Sequence, residues 1–460
     1  MIHDMIKFTI DNFDELHPNK QTILKLIQQH RAISDRMQTL EAYYNGHHKI
    51  ETRQRSHNAP NNKVTINWAK YITDTATGYF AANPITYSDT NGGDITPLLQ
   101  AFDRAHVDDV DADNAFEASQ NGAAYEYVYA AEGEAELQVR NLCARNTFLI
   151  YDTSIEEREL AGVYYRVIHD DERDLTRYVA TVCTANYIHE INILDGTDVT
   201  QPADGEPRRH YLGEVPIIAY ANNHNGIGDY EQLIPLIDAY NTLMSDRVND
   251  VQDFVDAILI IYGTLLSDDT DEAKDGAKQA LRDGKLLEFP DRQTMGAEWL
   301  TRQLDESGVE ILQKAIAKDI LRMAYVPDFS DESFAGNASG VAIAYKCLLL
   351  EWATKTKERY YRKGLRKRIR MFCRFLGLKQ LMVNPDGIIP HFVRALPTNV
   401  AETAQIVATL AGKVSQRTLL QQLPFVEDPD AEIKALKNEA VVPQQPDNTD
   451  DQGAGDARLF

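Results

Sequence analysis

Cysteine is scarce, with four residues (Cys143, Cys183, Cys347 and Cys373) in a chain of 460. None lies close enough to another to make a CxxC metal pair, and thiols so widely spaced form no disulfide framework. Secreted, bridge-stapled folds are excluded, and a reducing compartment is the simplest setting. Long apolar runs are missing as well. The longest uncharged apolar stretch, Ala257 to Ser267, falls far short of the ~20 residues that span a bilayer. The opening MIHDMIKFTIDNFDE has early acids and no long apolar core, so no signal peptide is expected. Positive charge is in deficit: 70 Asp plus Glu outnumber 47 Lys plus Arg, leaving a net charge of -23 and a pI near 4.9. A protein that binds duplex DNA by neutralising phosphates would not carry that balance.

Catalytic signatures are absent too. There is no GxxxxGK[ST], no GxGxxG, no HExxH and no GxSxG. Gly226-Ile227-Gly228 lacks a third glycine and runs into Asp229, wrong for a phosphate cradle. His47, His48 and His57 sit in a basic, Asn-rich loop without a cysteine pair, and are expected to be solvent-exposed rather than metal ligands. His169-Asp170-Asp171-Glu172 reads as a solvated hairpin tip. No catalytic residue, metal site or cofactor is assigned. Carboxylates are so abundant that a metal-dependent nuclease, with Mg²⁺ held by scattered Asp residues, stays open as an alternative, as does a helical nucleic-acid binder.

What is present is a predominantly helical α+β pattern. Residues 19–44 place Ile23, Leu24, Ile27, Ile33, Met37 and Leu40 at near-helical spacing, closed by Asn45-Gly46. A second helix is expected over 67–80. Between 100 and 220, short β-rich runs around 125–130, 163–167, 178–182, 187–194 and 215–220 suggest a mostly antiparallel sheet. Helical stripes return over 229–262 and 308–326, the second closed by Pro327, and flank a turn-rich, charged stretch at 263–306. After the Gly-, Ser- and Asp-rich PDFSDESFAGNASG (327–340) a very long helix is expected from 341 to about 376. Short helices follow over 397–440, and the last 20 residues have the composition of a disordered tail.

One segment breaks the acidic background. Between Lys355 and Arg374 stand ten basic residues and a single acid, Glu358, a local charge of +9 that leaves -32 for the rest of the chain. Ten cations cannot share one helical face, so Arg362, Lys363, Arg366, Lys367, Arg368 and Arg370 are expected to pair with acidic surfaces of neighbouring subunits or to contact DNA phosphates.

Five segments, in order along the chain, resemble one family. They are YYNGHHKI (43–50), NNKVTINWAKYITDTATGYFAANPITY (61–87), YNTLMSDRVNDVQDFVDAILIIYG (240–263), FAGNASGVAIAYKCLLLEWATKTKERYYRKGLRKRI (334–369) and PTNVAETAQIVATLAGKVSQRTLLQQLPFVEDPDAEI (397–433). Together they are similar to the portal proteins of tailed bacteriophages, in the group of the Bacillus phage SPP1 portal. That resemblance implies a nonenzymatic ring of twelve copies at one capsid vertex, made in the host bacterial cytoplasm and built into the virion. The ring is a channel for double-stranded DNA in packaging and ejection. Its implied partners are the terminase large subunit, then a head-tail adaptor, with the major capsid and scaffold proteins around it and no membrane.

The same resemblance implies a layout: a wing over 1–235, stem helices over 236–262 and 307–327, a clip over 263–306, a tunnel loop over 328–340, a long helix and return to the wing over 341–396, a crown over 397–440, and a tail over 441–460. Phe329, Ser330, Ser333, Phe334, Gly336, Asn337 and Ser339 are the implied channel-loop residues. Ser330, Ser333, Gly336, Asn337, Ser339 and Gly340 suit that place, because a loop touching a sliding duplex needs small, flexible residues and no strong phosphate binder. Asp328, Asp331 and Glu332 would repel phosphate, and Phe329, Phe334 and Asn337 are the alternative tips.

Overall fold

The structure is a computed structural model. It describes residues 7–55, 59–130, 133, 135–170, 175–195, 203–255, 258–262, 286–289, 296–300, 306–329 and 340–394. Between 405 and 437 it describes 405, 407–420, 423, 426, 429, 432–433 and 435–437. The chain divides into two compact units, one of Met1–Ser330 with Lys346–Ala395, the other of Asp331–Tyr345 with Leu396–Phe460.

In the larger unit, strand β1 (Lys7–Ile10) precedes helix α1 (Lys20–Tyr44). Asn19 caps α1 by accepting the N–H groups of Gln21 and Thr22, and Gly46, at φ +90°, closes its far end. One face of α1 (Ile23, Leu26 and Ile27) is buried against Phe148, Val163, Tyr165 and Tyr178 of a six-stranded sheet. That sheet has the order β1-β5-β6-β7-β8-β9, from β5 (Thr147–Asp152), β6 (Glu159–Asp170), β7 (Leu175–Cys183), β8 (Tyr187–Leu194) and β9 (Arg208–Arg209). Only β1 and β5 run parallel. Asp170 pairs antiparallel with Leu175, and residues 171 and 172 of the expected hairpin tip lie outside the described residues.

The expected single sheet is in fact two. After helix α2 (Trp68–Ala81) and strand β2 (Thr86–Asp89) come helices α3 (Thr96–Arg104) and α4 (Val107–Asn121). These lead into a separate three-stranded sheet ordered β10-β3-β4, from β3 (Ala123–Ala130), β4 (Leu137–Leu142) and β10 (Ile217–Ala221). Helix α4 escapes pattern reading because its buried side includes Asp111, Asn114, Ser119 and Gln120. A stripe so polar does not stand out against its acidic exposed side.

Helix α5 (Ile234–Val255) packs with α6 (Glu306–Met323), and their shared core includes Leu233, Ile237, Tyr240, Ile320 and Leu321. Helix α5 also carries a polar seam. Asn241, Ser245 and Asn249, one turn apart and fully buried, accept the backbone N–H groups of Ile66, Val64 and Asn62 at 2.9, 2.9 and 2.7 Å. Two extended residues advance ~6.6 Å and four helical residues ~6 Å, so the two periods match.

The helix expected to run to Tyr262 stops at Val255, and Ile258–Tyr262 is strand β11. A short β-branched run such as ILIIY fits strand or buried helix equally by periodicity. Strand β11 pairs in parallel with β12 (Leu286–Phe289) and antiparallel with β13 (Gly296–Leu300). Helix α6 ends ahead of Pro327. Tyr325, at φ +59°, takes the left-handed position, and Val326 donates its N–H to Leu321 O.

The long helix is divided at Cys347 into α7 (Gly340–Lys346) and α8 (Leu348–Leu378). Strand β14 (Ile388–His391) then pairs with β2. The described part of 397–440 includes α9 (Gln416–Leu420). No helix among the described residues is long and apolar enough to cross a membrane.

Candidate functional site

Helix α8 sorts its ten cations onto two sides, and the structure gives six of them carboxylate partners within this chain. Lys355 pairs with Glu351, Lys357 with Asp229, Arg362 with Glu358, Lys367 with Glu159, Arg368 with Asp111 and Glu126, and Arg370 with Glu214. The expectation that Lys367 and Arg368 meet another subunit or DNA is therefore corrected: both are buried and occupied internally. Lys367 also donates to Ile217 O at 2.9 Å.

Arg368 is the centre of a buried polar network. Its Nε donates to Glu126 Oε1 at 2.8 Å and its Nη2 to Asp111 Oδ1 at 2.7 Å. Tyr220 Oη and Asn114 Nδ2 donate to Glu126 Oε2, and Tyr361 Oη donates to Asp111. Two carboxylates against one guanidinium leave an excess of acid, and burial pushes the Asp111 carboxyl above its usual range. Gly364 makes room for this packing, since a Cβ there would stand 2.4 Å from the Tyr220 ring. A signal was present in the sequence. Glu126 shares its strand face with Ala124 and Val128, both fully buried, and a lone acid on such a face requires a buried cation.

The outward side of α8 carries Arg359, Lys363, Arg366 and Arg374, all exposed. With Arg370 they recur at intervals of three and four residues, the spacing of one helical face. Arg374 lies against Gly213, and Lys363 stands over the Tyr360 ring. The basic surface is a stripe, not the all-round distribution expected.

The second feature is the α5–α6 pair. Where it packs on the core it is apolar and buried, yet farther along it exposes Val248 and Val251 on α5 and Ile311 and Leu312 on α6, with Ile311 at 70%. Of the loop residues named from the sequence, Phe329 is described and is 45% exposed. Ser330, Ser333, Phe334, Gly336, Asn337 and Ser339 lie outside the described residues, as do His57 and the tail 441–460.

The loop histidines divide. His47 is exposed beside Glu51, but His48 is buried, stacked on Tyr43. Asn241 Nδ2 donates to His48 Nδ1 at 2.7 Å, which leaves Nε2–H to donate to Tyr43 O at 2.9 Å. Burial holds its pKa below the ordinary histidine value. His48 braces the polar seam of α5 and is not the solvent-exposed residue expected. Among the described residues no group of His, Cys, Asp and Glu is arranged to hold a metal ion.

Comparison with known proteins points to the family named from the sequence segments. The chain is 24% identical to the portal protein of Bacillus phage SPP1 over 469 residues, covering 95% of this chain and 90% of that protein. It is 22% identical to the portal protein of Clostridium phage phiCD119, covering 80% and 82%. A solved chain from the neck of an empty GTA particle aligns over 77% of this chain and 90% of its own, with 11% identity and a TM-score of 0.38. The family model described as phage portal protein, SPP1 Gp6-like, matches residues 23–444, a span that contains all five segments singled out above. The chain belongs to the SPP1 Gp6-like family of phage portal proteins.

Proposed function

We propose that twelve copies of this chain close into a ring at one capsid vertex, whose channel carries double-stranded DNA inward during packaging and outward during ejection. The observation that carries this reading is the α5–α6 pair: apolar side chains exposed along two adjacent helices require a partner in the assembled state. A repeated heterologous contact between identical copies closes into a ring when its rotation divides a full turn, as this reading requires. In this reading α5 and α6 form the stem, shorter than the 236–262 and 307–327 expected.

Residues 263–306 form the clip, which docks the terminase large subunit and later a head-tail adaptor. Residues 328–340 form the tunnel loop and 397–440 the crown, while 1–235 and the long helix form the wing among capsid and scaffold proteins. The chain performs no chemical step, and the energy for DNA movement comes from a separate ATP-driven motor. A net charge of -23 suits a conduit, because strong phosphate neutralisation would hold the cargo in place.

The test is native mass with negative-stain imaging of the same peak. Twelve copies of 51.9 kDa give roughly 620 kDa and a ring with a hole. A stable dimer with metal-dependent nuclease activity would overturn the proposal. Deleting residues 331–338 is expected to leave the ring and abolish packaging. Unchanged packaging would refute the tunnel-loop assignment alone.

A further inference from the structure

A groove of about 680 Å³ opens between the two sheets of the wing region. From β3 it is lined by alternate residues, Tyr127 and Tyr129, whose rings stack at 5.2 Å and 11°. From β6 it is again lined by alternate residues, Tyr164 and Arg166. Alternation means that these strands present a face to the groove. Strand β4 differs, because three consecutive residues, Arg140, Asn141 and Leu142, line the groove, with Cys143 just beyond its end. Arg140 and Leu142 share the face of their partners Tyr127 and Tyr125, while Asn141, whose side chain donates to Asn114 and Glu117, meets the groove through its backbone. It is also the outer strand of its sheet, with no neighbour on its free side among the described residues.

The charge of the groove is opposite to that of the molecule. Arg140 and Arg166 stand on its two walls, both exposed, and no carboxylate is among its lining residues. In a chain with 23 more acids than bases, that is a local inversion. An edge strand supplies main-chain hydrogen bonds to an added extended segment, and alternate side chains of that segment are read by what lies beside it. Arginines on both walls select acidic side chains, and the tyrosine pair supplies an apolar platform. We infer that this groove is a docking site for an extended acidic segment of a partner protein, which pairs with the β4 edge and places its carboxylates on Arg140 and Arg166. This holds whether or not the ring reading is correct.

The experiment is fluorescence anisotropy on the full-length protein. The probe is a fluorescein-labelled peptide, Glu-Val-Asp-Tyr-Asp-Val-Glu amide, and the comparison is the same peptide with lysine at every acidic position. The acidic probe is expected to bind and the lysine peptide not to. R140E/R166E is expected to weaken binding at least tenfold, while R209E, the same charge change on the opposite face of the six-stranded sheet, leaves it unchanged. Methylating alternate backbone nitrogens of the probe is expected to abolish binding through loss of strand pairing. Both arginines are exposed, so the melting temperature of R140E/R166E should match the wild type and separate lost docking from lost fold. Equal binding of the two peptides, indifference to R140E/R166E, or full affinity of the methylated probe would each overturn the proposal. So would displacement of the probe by a thymidine hexanucleotide at lower concentration, which would make the groove a nucleic-acid site. Loss of ring formation in R140E/R166E without loss of probe binding would place a second copy there and overturn it as well.

Discussion

The hydroxyl of Ser245 accepts the backbone N–H of Val64 at 2.9 Å and donates to Asn241 O one turn back along α5. A helix side chain thereby acts as the hydrogen-bond partner that a neighbouring strand would otherwise supply. Ser245→Ala leaves the Val64 amide without that acceptor, at a cost of about 1–2 kcal/mol in urea unfolding. Hydrogen exchange gives a finer reading: Asn62, Val64 and Ile66 are expected to exchange slowly and Lys63 and Thr65 quickly. Uniform exchange across 62–66 would contradict the seam.

Arg368 is expected to be the most sensitive cation of α8. Arg368→Leu strands Asp111 and Glu126 in the interior and should cost about 3–5 kcal/mol, the range for a buried pair that loses one member. Adding D111N and E126Q to that variant removes the stranded charge and should recover part of the loss. If the single variant unfolds at the wild-type urea concentration, the network carries no stability.

Two buried groups bend the pH dependence in opposite senses. Burial pushes the Glu117 carboxyl up from 4.5 to about 7, so its contribution is full below pH 4.5 and is lost as pH rises toward 7. Burial pushes His30 down from 6.5 to about 4, so its contribution is present above pH 6.5 and is lost as pH falls toward 4. Each amounts to about 3 kcal/mol at most, and over most of this window they offset. Glu117→Gln is expected to uncover a stability that falls on acidification, and His30→Phe one that rises. Parallel pH profiles in the two variants would show the assignment to be wrong.

Ile311→Asp tests the exposed helix pair. At 70% exposure the substitution should change the melting temperature of the isolated chain little while shifting the native mass to small species. A full-sized ring from this variant would remove the α5–α6 face from the subunit contact.

The outward stripe of α8 supports a matching test of charge. Arg359, Lys363 and Arg366 replaced together by Glu are expected to impair assembly more than DNA affinity, since paired surfaces of neighbouring acidic copies lose their complement. Intact rings with abolished DNA contact would reverse that assignment.

Much of the framework was legible from spacing and end signals. Asn19 and Asn67 cap the helices where the apolar period begins, and the alternation around Tyr125, Val163 and Tyr187 marked strands that the structure contains. What was not legible depends on partners distant in sequence. The basic run of α8 looked uniform because composition does not say which cations face in; Asp111 and Glu126, more than 240 residues away, decide it for Arg368. His48 looked solvent-exposed because Asn241, which donates to its ring, stands 193 residues away. The run 258–262 was ambiguous because its pairing strands lie inside the charged stretch that follows it, where no strand stood out.

Helix α8 has 31 residues and is about 46 Å long at 1.5 Å per residue. It is pinned near its start by Arg394, which bridges Glu351 and Glu358, then by Lys357 on Asp229, and farther along by Arg368 on Asp111 and Glu126. Stretching it locally would mean pulling desolvated charges apart before any turn could lengthen. A load applied at one end is therefore passed to the other as displacement of the whole rod, and α8 behaves as a strut, not a spring.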